Sequence, residues 1–209
     1  MIPPAEAVVP VRRLRGTLLL VAALNLSYFG VEVVVALAIG SVALLADSVD
    51  FLEDTSVTLL VVLALGWSLR ARARTGRVLA GIIALPALAA AWQAFAKAAD
   101  PVPPAPVPLV LAAGGAVVVN AVAALLLLRV RRHGGSLTHG AWVAARNDVA
   151  VDLAIIAMGL LTAWTGSGWP DIVLGLGIVV LNVTAAREVW ALASSESVAA
   201  RALAGEDVG

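Results

Sequence analysis

Seven of the fourteen acidic residues of this chain lie inside stretches that are otherwise apolar enough to cross a bilayer. Asp47, Asp50, Glu53 and Asp54 fall in one run, Leu44–Asp54; Asp148 and Asp152 fall in another, and Glu32 in a third. A carboxylate in hydrocarbon is expensive, and it is placed there to line a pathway or to bind a cation. Helical spacing sharpens the point. Asp47, Asp50 and Asp54 are three and four residues apart, which confines them to an arc of about 60° on one helix face. Asp148 and Asp152 stand one turn apart on a second helix. Asn25, Tyr28 and Glu32 share a face of a third by the same spacing, and Asn120 adds an amide from a fourth. Adjacent carboxylates repel and suffer desolvation, and no basic residue in either aspartate-bearing helix sits to neutralise both pairs. The chemistry these residues suit is oxygen ligation of a cation at membrane depth.

Other polar residues have plainer readings. Asn120 and Gln93 suit hydrogen bonds between helices. Glu32 has Arg146 as a structural partner to set against a part in transport. His133 and His139 flank a polar loop, where histidines are solvated and not ligands. Trp67, Trp164, Trp169 and Trp190 fall near span ends, as interfacial anchors do.

The elements that must position the acidic residues follow from hydropathy. The chain is 61% hydrophobic with a mean hydropathy of +0.99, the profile of an integral membrane protein. A bilayer core of about 30 Å needs roughly 20 helical residues. Six segments meet that length, near 16–39, 42–68, 76–98, 108–130, 141–165 and 170–192. The expected fold is an all-α bundle of six transmembrane helices over 16–192. A short cytoplasmic segment, 1–15, precedes it and a short cytoplasmic tail, 193–209, follows, with no C-terminal soluble domain and no removable signal peptide. The breaks carry their own chemistry. Asp100–Pro106 holds four prolines, which supply no amide donor and fix φ. Gly166–Pro170 is a tight turn, and Arg131–Ser136 a polar loop.

Arginine sets the orientation. Arg12, Arg13 and Arg15 precede the first span, Arg70, Arg72, Arg74 and Arg77 join the second to the third, and Arg129, Arg131 and Arg132 join the fourth to the fifth. Lys97 stands on the other side, with an uncharged turn that ends at Asp171. By the positive-inside rule both termini are cytoplasmic. A net charge of zero leaves no basic surface for nucleic acid, and the absence of cysteine removes disulfides and thiolate metal sites.

The run Gly40–Asp54 resembles the second-helix signature of the cation diffusion facilitator family, whose members export divalent metals in exchange for protons. The resemblance covers all six spans. It places that helix's two metal ligands on Asp50 and Asp54, and it likens Asn25, Glu32 and Asn120 to polar positions of the family's first and fourth helices. The fifth-helix pair falls on Ala144 and Asp148. Alanine cannot coordinate, so Asp152, one turn outward, is the expected substitute. The expected site is therefore Asp50, Asp54, Asp148 and Asp152, supported by Asp47, Asn25, Glu32 and Asn120. The expected activity is proton-coupled export of a divalent cation across the cell membrane, with zinc first by family and manganese second because the site is all oxygen. No resident cofactor or enzymatic activity is expected. The partners are the metal ion, protons and lipid, and a homodimer is left open. Two alternatives stand beside this: a non-transporting membrane subunit, favoured by Ala144, and a metal-dependent membrane phosphotransferase. The latter's signature wants glycine after the second aspartate and then an Ala-Arg step; Phe51 follows Asp50 here.

Overall fold

A computed structural model of the chain describes residues 11–64, 68–130 and 135–203, with the side chains of 64, 69, 72, 135–140 and of several residues after 184 excepted. Six helices follow one another: α1 Val11–Ile39, α2 Val42–Ala64, α3 Leu69–Ala98, α4 Pro106–Val130, α5 Gly135–Thr165 and α6 Trp169–Leu203. The described residues contain no strand. Four stretches, Val11–Ile39, Ala73–Ala98, Pro106–Val130 and Ala141–Thr165, are long and apolar enough to cross a membrane, and Trp169–Thr184 is a shorter apolar helix. α2 falls short of that standard because Asp47, Asp50, Glu53 and Asp54 all lie within it. Each expected span overlaps one helix, but α2 ends at Ala64 and α6 continues past the expected end at 192 to Leu203. α1, α3 and α5 begin five to seven residues earlier than hydropathy indicates. The reason is that a helix does not stop where the apolar stretch stops: its hydrogen bonds continue through polar residues until a cap or breaker intervenes. At α3 that cap is Ser68, whose hydroxyl accepts from the Ala71 amide at 3.4 Å.

α2 is the central helix. It packs most extensively on α1, and also on α6, α3 and α5, while α3 pairs with α6 and α4 with α5. Large apolar side chains cover the outside of the bundle, among them Leu85, Trp92, Phe95, Leu111 and Val180, all well exposed. In water such a surface would drive association; in lipid it matches the solvent. Trp164 and Trp169 are exposed near helix ends, as anchors should be; Trp190 is exposed but stands well inside α6, which continues to Leu203, and Trp67 lies outside the described residues.

Three connections gather at one end of the bundle, here the turn end. Gly40, at φ +66°, takes the left-handed conformation that closes the α1–α2 turn. Lys97, at the end of α3, donates to the Gly40 carbonyl at 2.6 Å, and the Gly168 amide of the α5–α6 turn donates to the Pro101 carbonyl at 2.8 Å. The start of α1 and the end of α6 therefore lie toward the opposite end. Among the described residues, four apolar clusters fill the interior, two of them large. One, with Ala36, Leu44, Leu45, Leu109 and Ile155, lies toward the turn end. The other, with Leu14, Leu18, Val61, Leu127 and Ala145, lies toward the termini. The acidic side chains occupy the layer between them.

Candidate metal site

An antiparallel register between α1 and α2 sets polar residue against polar residue. Asn25 Nδ2 donates to Asp54 Oδ2 at 3.2 Å. Three residues up α1 and three down α2, the Tyr28 and Phe51 rings meet with centroids 5.1 Å apart. Four further in each direction, Glu32 lies beside Asp47. The face predicted for Asn25, Tyr28 and Glu32 thus does meet the α2 carboxylates. Tyr28 is turned elsewhere at its tip, donating its hydroxyl to the Ala112 carbonyl of α4 across Gly115, where a Cβ would collide with the ring.

The carboxylates divide into two tiers along the bundle axis. In the tier nearer the termini, Asp50 and Asp54 of α2 act electrostatically on Asp148 of α5, and all three are only half-buried. In the tier nearer the turn end, Glu32, Asp47 and Asp152 are at most 1% exposed. Asp47 lies beside both others. At about 1.5 Å per residue, the step between the tiers is about 4.5 Å along α2, from Asp47 to Asp50, and about 6 Å along α5, from Asp152 to Asp148. Asp152 links them. Its Oδ2 accepts from Asn120 Nδ2 of α4 at 3.0 Å, and its charge also acts on Asp50 and Asp148.

Helix–helix hydrogen bonding is one part of this arrangement. Asn120 bridges α4 to α5, the plain role that an isolated amide suggested. The other part is unfinished. Both Glu32 carboxylate oxygens, Asp47 Oδ2, Asp152 Oδ1 and Asn25 Oδ1 are buried with no hydrogen-bond partner. Buried carboxylates left this way are strongly unfavourable without a proton or a cation beside them. Among the described residues, no group of three or more His, Asp or Glu side chains is arranged to hold a metal ion. The acidic groups share a region without converging on one point.

Glu32 does not pair with Arg146. The guanidinium is exposed on α5, donating to Asn147 Oδ1 at 3.5 Å and lying 5.2 Å from the Trp142 ring centroid, so the structural role considered for Glu32 is corrected. His133 lies outside the described residues, and so does the side chain of His139. Ala144 lies one turn from Asp148 on the termini side and offers no ligand atom. Two residues that spacing did not single out also act here. Asn182 of α6 donates to the Ala46 carbonyl at 2.7 Å, fixing α2 next to Asp47. An asparagine in an apolar helix was the available signal, the same one that marked Asn120. Asp171, read only as the end of an uncharged turn, is buried and binds the start of α2. Its neighbours are far away in sequence, and no local spacing announces them.

The described bundle thus carries facing carboxylates on α2 and α5 between apolar clusters. Residues 18–195 match the cation efflux transmembrane domain, and the chain belongs to that family. It is, in general terms, an integral membrane transporter of metal cations. No curated protein matches the chain closely.

Proposed function

We propose that the protein exports a divalent metal cation in exchange for protons, holding the ion on Asp50, Asp54, Asp148 and Asp152. The observation that carries this reading is the meeting of α2 and α5, where these carboxylates lie within electrostatic reach of one another. The basic side chains whose partners are seen nearby are engaged elsewhere, Lys97 with Asp171 and Arg146 with Asn147. A dication supplies the balancing charge, and a small closure of α5 on α2 brings the oxygens round it. Protons on the same oxygens balance the charge on the return stroke. Asp152 stands in for the ligand absent at Ala144, with Asn120 orienting it and Asn25 orienting Asp54. Glu32 and Asp47 extend the acidic lining toward the turn end. The arginine distribution supports cytoplasmic termini and an external turn end, and the site of action in this reading is the cell membrane. The all-oxygen donor set suits manganese, while the family resemblance puts zinc first. A non-transporting subunit is the second reading, and Ala144 is the observation that favours it.

Purified protein in liposomes under an imposed pH gradient tests both. Uptake of zinc or manganese that collapses with a protonophore is expected. Asp50→Asn and Asp54→Asn should abolish it while inserting normally, because an amide keeps the size and loses the charge. No uptake of zinc, manganese, cobalt or cadmium by the unaltered chain overturns the transport reading.

A further inference from the structure

The turn end is closed by a knot of polar contacts centred on Asp171, the third residue of α6. Its carboxylate is 2% exposed and accepts four hydrogen bonds from two other parts of the chain. Oδ1 takes the Ser41 hydroxyl at 2.6 Å and the Ala43 amide at 3.2 Å; Oδ2 takes the Val42 amide at 2.8 Å and Lys97 Nζ at 2.9 Å. The first amides of α2 have no partners within their own helix. Asp171 satisfies two of them from another helix, and its negative charge sits at the positive end of the α2 dipole. Lys97 completes the knot by holding both Asp171 and the Gly40 carbonyl. One ion pair thereby ties the end of α3, the α1–α2 turn and the start of α6.

Burial along α2 changes from one end to the other. Val42 to Val49 are all buried, whereas Asp50, Glu53 and Asp54 are half-buried. On α5 the same change runs from buried Asp152 to half-buried Asp148. The more exposed carboxylates therefore lie toward the termini side, and the knot lies beyond the buried ones, at the turn end. Its contacts are between helices that must part if an ion is to leave past the α1–α2 turn.

We propose that Lys97 and Asp171 form the clasp that holds the turn end of the pathway shut, and that release of this pair opens the acidic region to that side. The inference rests on the transporter reading, and Lys97 and Asp171 act in it as positioning residues that touch no ion. Breaking the pair leaves a buried charge without its partner, which favours the parted arrangement of the three elements.

The native chain has no cysteine, so a single reporter can be read without background. Ser48→Cys is suitable: Ser48 is buried at the depth of Asp47, one residue further along α2, and bonds the Leu45 carbonyl of its own helix. A membrane-impermeant maleimide is applied from the turn side to full-length protein in liposomes. Slow labelling is expected with the clasp intact. Lys97→Met should speed it by about tenfold or more, the order expected when one partner of a buried ion pair is removed from a two-state equilibrium. Lys97→Arg, which keeps the charge and the reach, should restore slow labelling. Ser41→Ala, which removes a single Asp171 contact, should give a smaller rise, and it serves if Lys97→Met does not fold. Unchanged turn-side labelling in folded Lys97→Met or in Ser41→Ala overturns the clasp. So does equal acceleration from both sides, which marks general loosening. Labelling needs no transport, so these outcomes are independent of whether the liposome assay supports metal export.

Discussion

Asp152→Asn separates the two roles open to this residue, fixing α4 to α5 and holding an ion. In the protein Oδ2 accepts from Asn120 at 3.0 Å, while Oδ1 is buried without a partner and the side chain lies beside Asp47. Asparagine fits this setting when no ion is bound. Its carbonyl can take the Asn120 hydrogen bond, and its amide can turn to the unpartnered Asp47 Oδ2. One hydrogen bond is kept, one is gained and a buried charge is removed, so the metal-free variant should be at least as stable as the native protein. Metal binding should move the other way. Losing a charged ligand group, at about 1.5–3 kcal/mol on the scale of charge-assisted bonds, weakens the site by roughly 10- to 150-fold. At a metal concentration one hundred times the native Kd, binding stabilises the native fold by about 2.7 kcal/mol. A hundredfold weaker site at the same concentration retains RT ln 2, about 0.4 kcal/mol. For a chain of this size that is a metal-induced rise in Tm of about 5–10 °C for the native protein against about 1–2 °C for the variant. Thermal unfolding followed by circular dichroism in detergent, with and without manganese or zinc, reads both quantities, and calorimetric titration gives the affinities. Native affinity in Asp152→Asn together with lost affinity in Asp148→Asn would refute the reasoning. It would assign Asp152 to helix bridging alone and leave three aspartates at the site. If the reasoning holds, Ala144→His in an Asp152→Ala background should recover binding and shift preference toward zinc, since imidazole nitrogen suits zinc better than an all-oxygen shell.

Two further outcomes check the frame around the site. A cysteine placed at Ala105, in the proline-rich linker at the turn end, should react with an impermeant reagent only from outside the cell; labelling only from the cytoplasmic side would overturn the orientation and the export direction together. Gly175→Ala should destabilise the fold by about 1–3 kcal/mol, the usual range for overpacking. Its Cβ would stand 2.6 Å from Val42 Cγ1 and 2.8 Å from the Ala43 nitrogen, at the start of α2. Gly177→Ala, with nothing within 4 Å, is the matched control and should leave Tm unchanged or slightly raised.

Much of this protein is written in local chemistry. Six apolar segments, separated by prolines, glycines and arginines, require six helices, because an unpaired backbone is intolerable in hydrocarbon. The period of the helix alone puts Asp47, Asp50 and Asp54 on one face, and Asp148 above Asp152 on another. Those positions, and the family signature around Asp50 and Asp54, need no tertiary information. What the helix period cannot supply is the offset and rotation of one helix against its neighbour, which side-chain packing sets only when both surfaces are present. That offset set Asn25 against Asp54 and Glu32 against Asp47, and it divided a continuous acidic face into a half-buried tier and a sealed one. It also left Glu32 without the arginine that composition offered it, and brought Asp171 from the start of α6 to the first amides of α2. Short-range periodicity fixed which carboxylates share a helix face; packing between helices decided which of them meet and which are buried.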